Sequence, residues 1–468
     1  MNIVKFLILA LCGLALRLWL VPQCVDMSRV IDAGQYDQIA ANILQHGVYS
    51  DDADPAVAPK PNARRVPAYP LFLSVIYNVY GLKSWRAVQV LQALVDLLTC
   101  WVVYRTAREL FRDRLVGFWS FGTALITPPM LIFTGYIMPE TLATFWTTMA
   151  VFCTLKACRA NHVRYFIGLG ISCAAAALCR PMLIALPLFL VPVFWLTPEG
   201  RRFLTAKRAG LAALCGLTLF LPWVTRNAVT LGQFRFLNTT RASQYEDRAR
   251  GYDKWVSTWS DSQAYNRMLI FPVVYQGHIY KPDDLPSADS FPAHAFDSDA
   301  EKEKVRDLLR QTYARMGLTK QIDDEFKKLA DAKVSAHPVR YWLTLPLYRT
   351  VMLWAEPVSH WFTKKDAPVR VIRFAQLINI AIVAFGFAGM WVLRKNWRDT
   401  APLWMAIHAC TVTGVLACFT IGTVNPRYVA PAYPIMCIFA SACAFHLTRA
   451  KTPLKTSTEI YELDSERW

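Results

Sequence analysis

Apolar runs separated by short polar connections occupy most of this chain. They cover residues 4–20, 87–104, 115–133, 141–155, 165–178, 182–196, 209–224, 371–393, 402–419 and 429–447. A membrane-crossing helix needs roughly 20 apolar residues, and fewer where neighbouring protein shields it, so the pattern predicts an all-α polytopic membrane protein of about ten transmembrane helices. Arg180-Pro181 interrupts one long apolar stretch, either as a turn between two crossings or as a kink within one helix. The first run follows MNIVK, contains Arg17 and is not followed by a small-x-small cleavage sequence, so it is expected to remain as an uncleaved first span.

The connections fall into two alternating kinds. Arg105, Arg108, Arg112 and Arg114 crowd one; Lys156, Arg159 and Arg164 the next of that kind; then Arg201, Arg202, Lys207 and Arg208; then Arg394, Lys395 and Arg398; Arg449, Lys451 and Lys455 follow the last run. Cytoplasmic flanks are enriched in Lys and Arg, so these connections and both termini are expected inside. Facing outward are then a first external loop at 24–86, the turn at 134–140, the Arg180-Pro181 turn, the long stretch 226–368 and the turn at 421–427. The expected domains are an N-terminal membrane module over 1–225, an external helical subdomain over 226–368, C-terminal transmembrane helices over 369–448 and a cytoplasmic tail over 449–468.

Within the long external stretch, Val305, Leu308, Leu309 and Tyr313, then Ile322, Phe326 and Leu329, recur at helical spacing. Two soluble amphipathic helices with a break at Gly317 are expected, their charges forming solvated faces. Residues 341–361 turn apolar and aromatic but carry Pro346, Arg349 and Pro357, the composition of an interfacial segment. Asn238-Thr239-Thr240 is a glycosylation sequon, informative only in a eukaryotic host. No internal repeat is visible.

Composition agrees: 54% of the 468 residues are hydrophobic, too many for an ordinary soluble chain of this length. The net charge of +17 would suggest nucleic acid in a soluble protein, but here it sits in the topology clusters and no nucleic-acid partner is expected. Of the cysteines only Cys24 stands near an external loop, and none has disulfide-framework or zinc spacing. His337, His360 and His408 lack a metal-ligand partner and read as packing or surface residues.

The chemistry-bearing residues gather on the outer side. Asp32 stands four residues before Tyr36, so the two share a face of a helical first loop, although an Asp there also suits a helix cap. Asp37 follows, and Arg64-Arg65 precedes Pro67, Tyr69 and an aromatic run. Glu140 lies after the outward turn in GYIMPETLATFW, a place that also suits a helix start. Arg427-Tyr428 lies in NPRYVAPAYP at the outer start of the last run. Basic residues at span ends commonly snorkel, but these stand on the side where such charges are disfavoured, and an Arg presents paired donors that suit a phosphate. Asp96 and Arg17 are ionisable residues inside the apolar runs; a polar contact between helices accounts for them, and a transport path is the other reading.

DAGQYDQIAANILQHGVYS followed by RRVPAYPLFLSVIYNVYG resembles the first external loop of the GT-C membrane glycosyltransferases, in particular the bacterial lipopolysaccharide-modifying and protein O-mannosyltransferase-like enzymes. GYIMPETLATFW, PWVTRNAVTLGQF and NPRYVAPAYP resemble, in order, their second acidic turn, the start of their large external region and their late Arg-Tyr motif. The resemblance implies a cell-envelope enzyme of the bacterial inner membrane, its active site facing the periplasm. It would move a sugar from a polyprenyl-phosphate donor to a lipid, glycan or protein acceptor. Asp32 takes the family's catalytic base position; where the family often has a second acid, this chain has Ala33, which leaves Asp37 to supply that carboxylate or makes it dispensable. Glu140 then orients hydroxyls or shares a divalent ion with Asp32, and Arg65 and Arg427 stabilise the leaving phosphate, with Tyr36, Asp37, Arg64, Tyr69 and Tyr428 lining the substrate. No cofactor is required by the sequence. A transporter or flippase of a lipid-linked sugar is the alternative.

Overall fold

The structure, a computed structural model, describes residues 3–24, 31–54, 56–232, 234–237, 250–262, 287–315, 318–355, 368–421 and 424–448, which form helices and turns and no β-strand. The sequon, Gly317, His360 and the basic residues after 448 lie outside the described residues. The helices are α1 (Ile3–Cys24), α2 (Ile31–His46), α3 (Ala68–Tyr80), α4 (Trp85–Phe111), α5 (Arg114–Ile126), α6 (Pro128–Phe133), α7 (Glu140–Arg159) and α8 (Val163–Cys179), then Pro181–Trp195 in short helical turns, Ala206–Leu231, Val369–Val392, Ala401–Ile421 and Tyr433–Thr448.

Every apolar run of the sequence thus lies on helix, and the chain is a multi-pass helical membrane protein. Among the described residues five helices are long and apolar enough to cross a membrane: Trp85–Phe111, Ala206–Leu231, Val369–Asn396, Ala401–Cys418 and Ala430–Thr448. The expected ten exceeds that number, and proline supplies a reason. α5 stops before Pro128-Pro129, α8 stops before Arg180-Pro181, and Pro181–Trp195 carries Pro187 and Pro192, so apolar runs that read as full spans are cut into shorter helices.

The chain divides into two compact units, Met1–Thr239 with Pro357–Cys410 and Val429–Trp468, and Thr240–Glu356 with Thr411–Tyr428. In the first, α7 packs on α4 and α8, Ala206–Leu231 packs on α8, and Val369–Val392 packs on Tyr433–Thr448. Small residues set the closest approaches, as expected where lipid offers no hydrophobic drive between helices. A Cβ on Gly170 of α8 would stand 2.0 Å from the Ala212 carbonyl oxygen. Gly170→Ala is therefore expected to push the two helices apart and destabilise the protein by about 1–3 kcal/mol, read as a lower melting temperature in detergent; an unchanged melting temperature would contradict this packing.

Arg17 and Asp96, the two intramembrane charges, meet each other. Arg17 Nε donates to Asp96 Oδ2 at 2.8 Å, and the guanidinium also donates to the carbonyls of Gly13 at 2.9 Å and Leu125 at 3.3 Å. The Leu125 carbonyl would ordinarily accept from residue 129 or 128, and both are prolines without an N–H. Arg17 fills that vacancy while it neutralises Asp96, so one buried side chain joins α1, α4 and α5. This is the interhelical polar contact that the sequence allowed.

The second unit has its own core. Asp299–Ala314 and Lys320–Ala336 form the two amphipathic helices, with Val305, Leu308, Leu309, Ile322 and Phe326 buried and Leu329 packed at the edge. The Tyr313 side chain is outside the described set. An aromatic cluster of Tyr252, Trp255, Trp259 and Phe291 completes the core, a contribution from segments without periodic signal. Asp323 accepts from the N–H groups of Gly251 and Tyr252 at 3.0 and 2.9 Å, capping Arg250–Ser257. Helix Leu345–Ala355 is anchored by Arg349, which donates to the carbonyls of Ser257 at 2.8 Å and Ser260 at 2.7 and 3.0 Å. Leu347 and Val351 remain exposed along it.

Candidate active site

The loop that follows the first apolar run is a folded element where it is described. α2 begins with Asp32 in its first turn, where the positive end of the helix dipole favours a carboxylate. It ends at Gly47, whose φ of +67° suits glycine; the Gly47 N–H returns to the Ile43 carbonyl and that of Val48 to Asn42. The chain then runs through Tyr49 and Asn62 to Arg65 and into α3. Arg226, near the end of Ala206–Leu231, holds this return: it donates to the carbonyls of Asn62 at 2.7 Å and Tyr49 at 3.1 Å, and its guanidinium lies 5.3 Å from the Tyr49 ring and 5.4 Å from the Trp223 ring. The Tyr49 hydroxyl in turn donates to the Arg65 and Val66 carbonyls at 3.0 and 3.2 Å. The backbone that carries Arg65 is thereby fixed.

Arg65 Nη2 donates to Asp32 Oδ1 at 2.7 Å, and its Nε and Nη2 donate to Gln35 Oε1 at 2.9 and 2.5 Å. The guanidinium also lies 4.9 Å from the centre of the Tyr36 ring. Both charged side chains of the pair stay partly open, Arg65 at 25% and Asp32 at 29% exposure, so a substrate can reach them.

A second pair is deeper. Glu140, the first residue of α7, accepts at Oε1 from Arg180 Nη1 at 3.0 Å, and its side chain is 1% exposed. Its other oxygen, Oε2, is buried without a hydrogen-bond partner among the described residues. A buried acceptor left so costs about 1–3 kcal/mol, which a bound hydroxyl would recover. Arg180 reaches Glu140 because Pro181 forces the residue before it out of helical conformation: α8 ends at Cys179 and Arg180 is extended, at φ −142° and ψ 114°.

The two pairs share a neighbour. The Tyr36 phenol is held above its ordinary range first by burial; Arg65 pulls it back, Asp32 and Glu140 push it up, and Arg180 pulls it back again. Four charges from two separate parts of the chain thus act on one hydroxyl. Tyr69 stands edge-on to Tyr36, with ring centres 5.3 Å apart, and its hydroxyl donates to Gln92 Oε1 at 2.8 Å. Gln92 Nε2 donates to the carbonyls of Thr134 and Tyr136 at 2.9 and 2.8 Å, which ties the turn before Glu140 to the first loop.

The other candidates make contacts of their own. Asp37 Oδ1 accepts from the Tyr77 hydroxyl at 2.5 Å and Trp85 Nε1 at 3.0 Å, bonds that join α2 to α3 and to the start of α4. Arg64 pairs with Asp51 at 3.0 Å, not with Asp32. Arg427 and Tyr428 belong to the second unit, in the turn Pro426–Tyr428 that packs against Leu345–Ala355, with the Arg427 guanidinium 6.0 Å from the Tyr428 ring. No group of three His, Cys, Asp or Glu side chains suited to a metal ion occurs among the described residues. Asp32 and Glu140 each face an arginine, a donor set that does not fit a divalent ion held between them. Arg180, Gln35, Gln92 and Arg226 are the residues that sequence reasoning passed over. Arg180 carried a usable signal, being an arginine at the end of an apolar run where the basic clusters lead one to expect the outer side, the same argument that selected Arg65 and Arg427.

Residues 60–225 match the profile of the dolichyl-phosphate-mannose-protein mannosyltransferase family. That stretch includes Arg65, the Glu140 turn and Arg180, and begins after Asp32 and Tyr36. No curated protein matches the chain in sequence. Among solved structures, the chain is similar to ArnT from Cupriavidus metallidurans in the apo state at 16% identity, covering 95% of this chain and 77% of that one with a TM-score of 0.42. For ArnT bound to undecaprenyl phosphate the values are 16%, 96%, 80% and 0.42. For the archaeal oligosaccharyltransferase AglB from Archaeoglobus fulgidus, in complex with an inhibitory peptide and a dolichol-phosphate, they are 13%, 97%, 53% and 0.47.

Proposed function

We propose that this protein is an integral membrane glycosyltransferase that moves a sugar from a polyprenyl-phosphate donor to an acceptor hydroxyl, at the membrane face outside the cytoplasm. The observation that carries the reading is a reachable Asp32–Arg65 pair, its guanidinium 4.9 Å from the Tyr36 ring, together with a buried Glu140–Arg180 pair. The family match over 60–225 supplies the donor class.

In this mechanism the Asp32 carboxylate takes the proton of the acceptor hydroxyl as its oxygen attacks the anomeric carbon. The bond from that carbon to the phosphate oxygen breaks, and the electron pair leaves with polyprenyl phosphate. The leaving group is already a weakly basic anion, so no general acid is needed. Attack opposite the leaving group inverts the anomeric centre. Arg65, fixed through Gln35 and the Tyr49 tether, faces the developing phosphate charge, and a preorganised donor of this kind lowers the barrier because it needs no reorganisation. Glu140 Oε2 accepts from a sugar hydroxyl, with Arg180 keeping the carboxylate in place.

The transport reading rested on Arg17 and Asp96, and these are paired with each other in a buried contact that binds three helices together.

The test is to incubate the purified full-length protein with a panel of polyprenyl-phosphate sugars and candidate acceptors, and to compare Arg180→Gln with the parent. Acceptor-dependent transfer is expected for one donor, and Arg180→Gln is expected to lower it by about 10²- to 10³-fold. The melting temperature, measured in parallel, separates this loss from unfolding. Transfer by a folded Arg180→Gln protein at the parent rate would remove the second pair from the site.

A further inference from the structure

We propose that a basic cleft at the N-terminal ends of α8 and Ala206–Leu231 binds the phosphate headgroup of an anionic membrane lipid, on the side that the basic clusters mark as cytoplasmic. The cleft has a volume of about 560 Å³ and presents three cations, Arg202, Lys207 and Arg208. That is room for a lipid headgroup with its glycerol, well beyond a lone ion.

The charge here is uncompensated, which sets this connection apart from its neighbour. Where Lys156 and Arg159 cluster, Lys156 pairs with Glu109 at 3.0 Å and Arg159 donates to the Glu109 carbonyl at 2.9 Å. No Asp or Glu lines the cleft, and among the described residues no carboxylate pairs with Arg202, Lys207 or Arg208. Both helices also turn their positive dipole ends toward it. Thr205 caps Ala206–Leu231 by accepting from the Arg208 N–H at 3.3 Å, whereas the His162 side chain makes no capping bond to α8.

The site is partly built in advance. Arg208 donates to the Phe203 carbonyl at 3.0 Å and to Asn161 Oδ1, and its guanidinium lies 5.5 Å from the Phe166 ring. Arg202 and Lys207 are exposed and can close on a ligand. Val163, Phe203 and Leu211 add an apolar wall, with Asn161 and Thr205 as the polar remainder of the lining. A cationic floor beside an apolar wall fits a phosphate carrying a glycerol and acyl chains better than a free ion, and basic pockets between membrane helices take such headgroups.

The test uses the full-length protein and native mass spectrometry, with phosphatidylglycerol, phosphatidylcholine and inorganic phosphate as separate probes. Preferential retention of phosphatidylglycerol is expected, and Arg202→Gln/Lys207→Gln is expected to weaken it by about 30-fold, since each cation near a membrane surface contributes about a factor of five. The charge-matched control Arg108→Gln/Lys395→Gln, at exposed positions on other basic connections, is expected to retain phosphatidylglycerol like the parent. Equal retention by the cleft variant, or an equal loss in the control, would overturn the proposal. Binding of inorganic phosphate as tight as that of phosphatidylglycerol would overturn the assignment to a lipid.

Discussion

Asp32→Asn is expected to lower acceptor-dependent sugar transfer by about 10²- to 10⁴-fold, the range that a positioned general base contributes, while leaving the fold intact. An Asn oxygen can still accept from Arg65 Nη2, and Gln35 still holds the other side of the guanidinium, so the pair's geometry survives. What disappears is the proton acceptor. Initial rates with saturating donor, together with a melting curve, distinguish the two effects. Because Asp32 and Arg65 act as a unit, Asp32→Asn/Arg65→Gln is expected to be little worse than the more damaging single variant. Transfer by Asp32→Asn at the parent rate would assign the base to another residue.

The second large effect concerns stability. Removing either partner of the Arg17–Asp96 contact leaves a buried charge uncompensated, and Arg17→Met or Asp96→Leu is each expected to cost about 3–5 kcal/mol. The double variant Arg17→Met/Asp96→Leu is expected to cost less than either single one, because no buried charge then remains. A residual loss of about 1–3 kcal/mol should persist from the Leu125 carbonyl, whose donor is gone and whose helical partners are prolines. Equilibrium unfolding in mixed detergent micelles measures all three. A double variant whose loss equals the sum of the single losses would show that the two residues do not depend on each other.

Much of the architecture was legible because hydrophobic runs record helices directly. Each of the ten runs proved helical, and the helical spacing that marked Val305, Leu308, Ile322 and Phe326 marked core residues. Span length was less legible, since a hydropathy run passes through prolines that stop a helix, as at Pro128-Pro129 and Pro181. Asp32, Arg65 and Glu140 were visible one by one from residue type and expected side. Their partners were not, because pairing depends on which chain segments the fold brings together. Arg65 was visible as one of two candidate phosphate partners, and its bond to Asp32 was not. Arg180 read as a helix break, when that same break frees it to reach a carboxylate forty positions away. Asp37 and Arg64 stood out by proximity in sequence, but their bonds to Tyr77, Trp85 and Asp51 were not legible there.

The proposed function requires that the Asp32–Arg65 site cleave a polyprenyl-phosphate sugar and pass the sugar on. The most direct measurement reconstitutes the full-length protein in vesicles with a donor that supports transfer and counts free polyprenyl phosphate released per sugar transferred, with and without acceptor, for the parent and Asp32→Asn. The expected result is one polyprenyl phosphate per sugar, released only when acceptor is present and nearly lost in Asp32→Asn. Movement of the intact lipid-linked sugar across the vesicle membrane without release of polyprenyl phosphate, and equal in the two proteins, would contradict it.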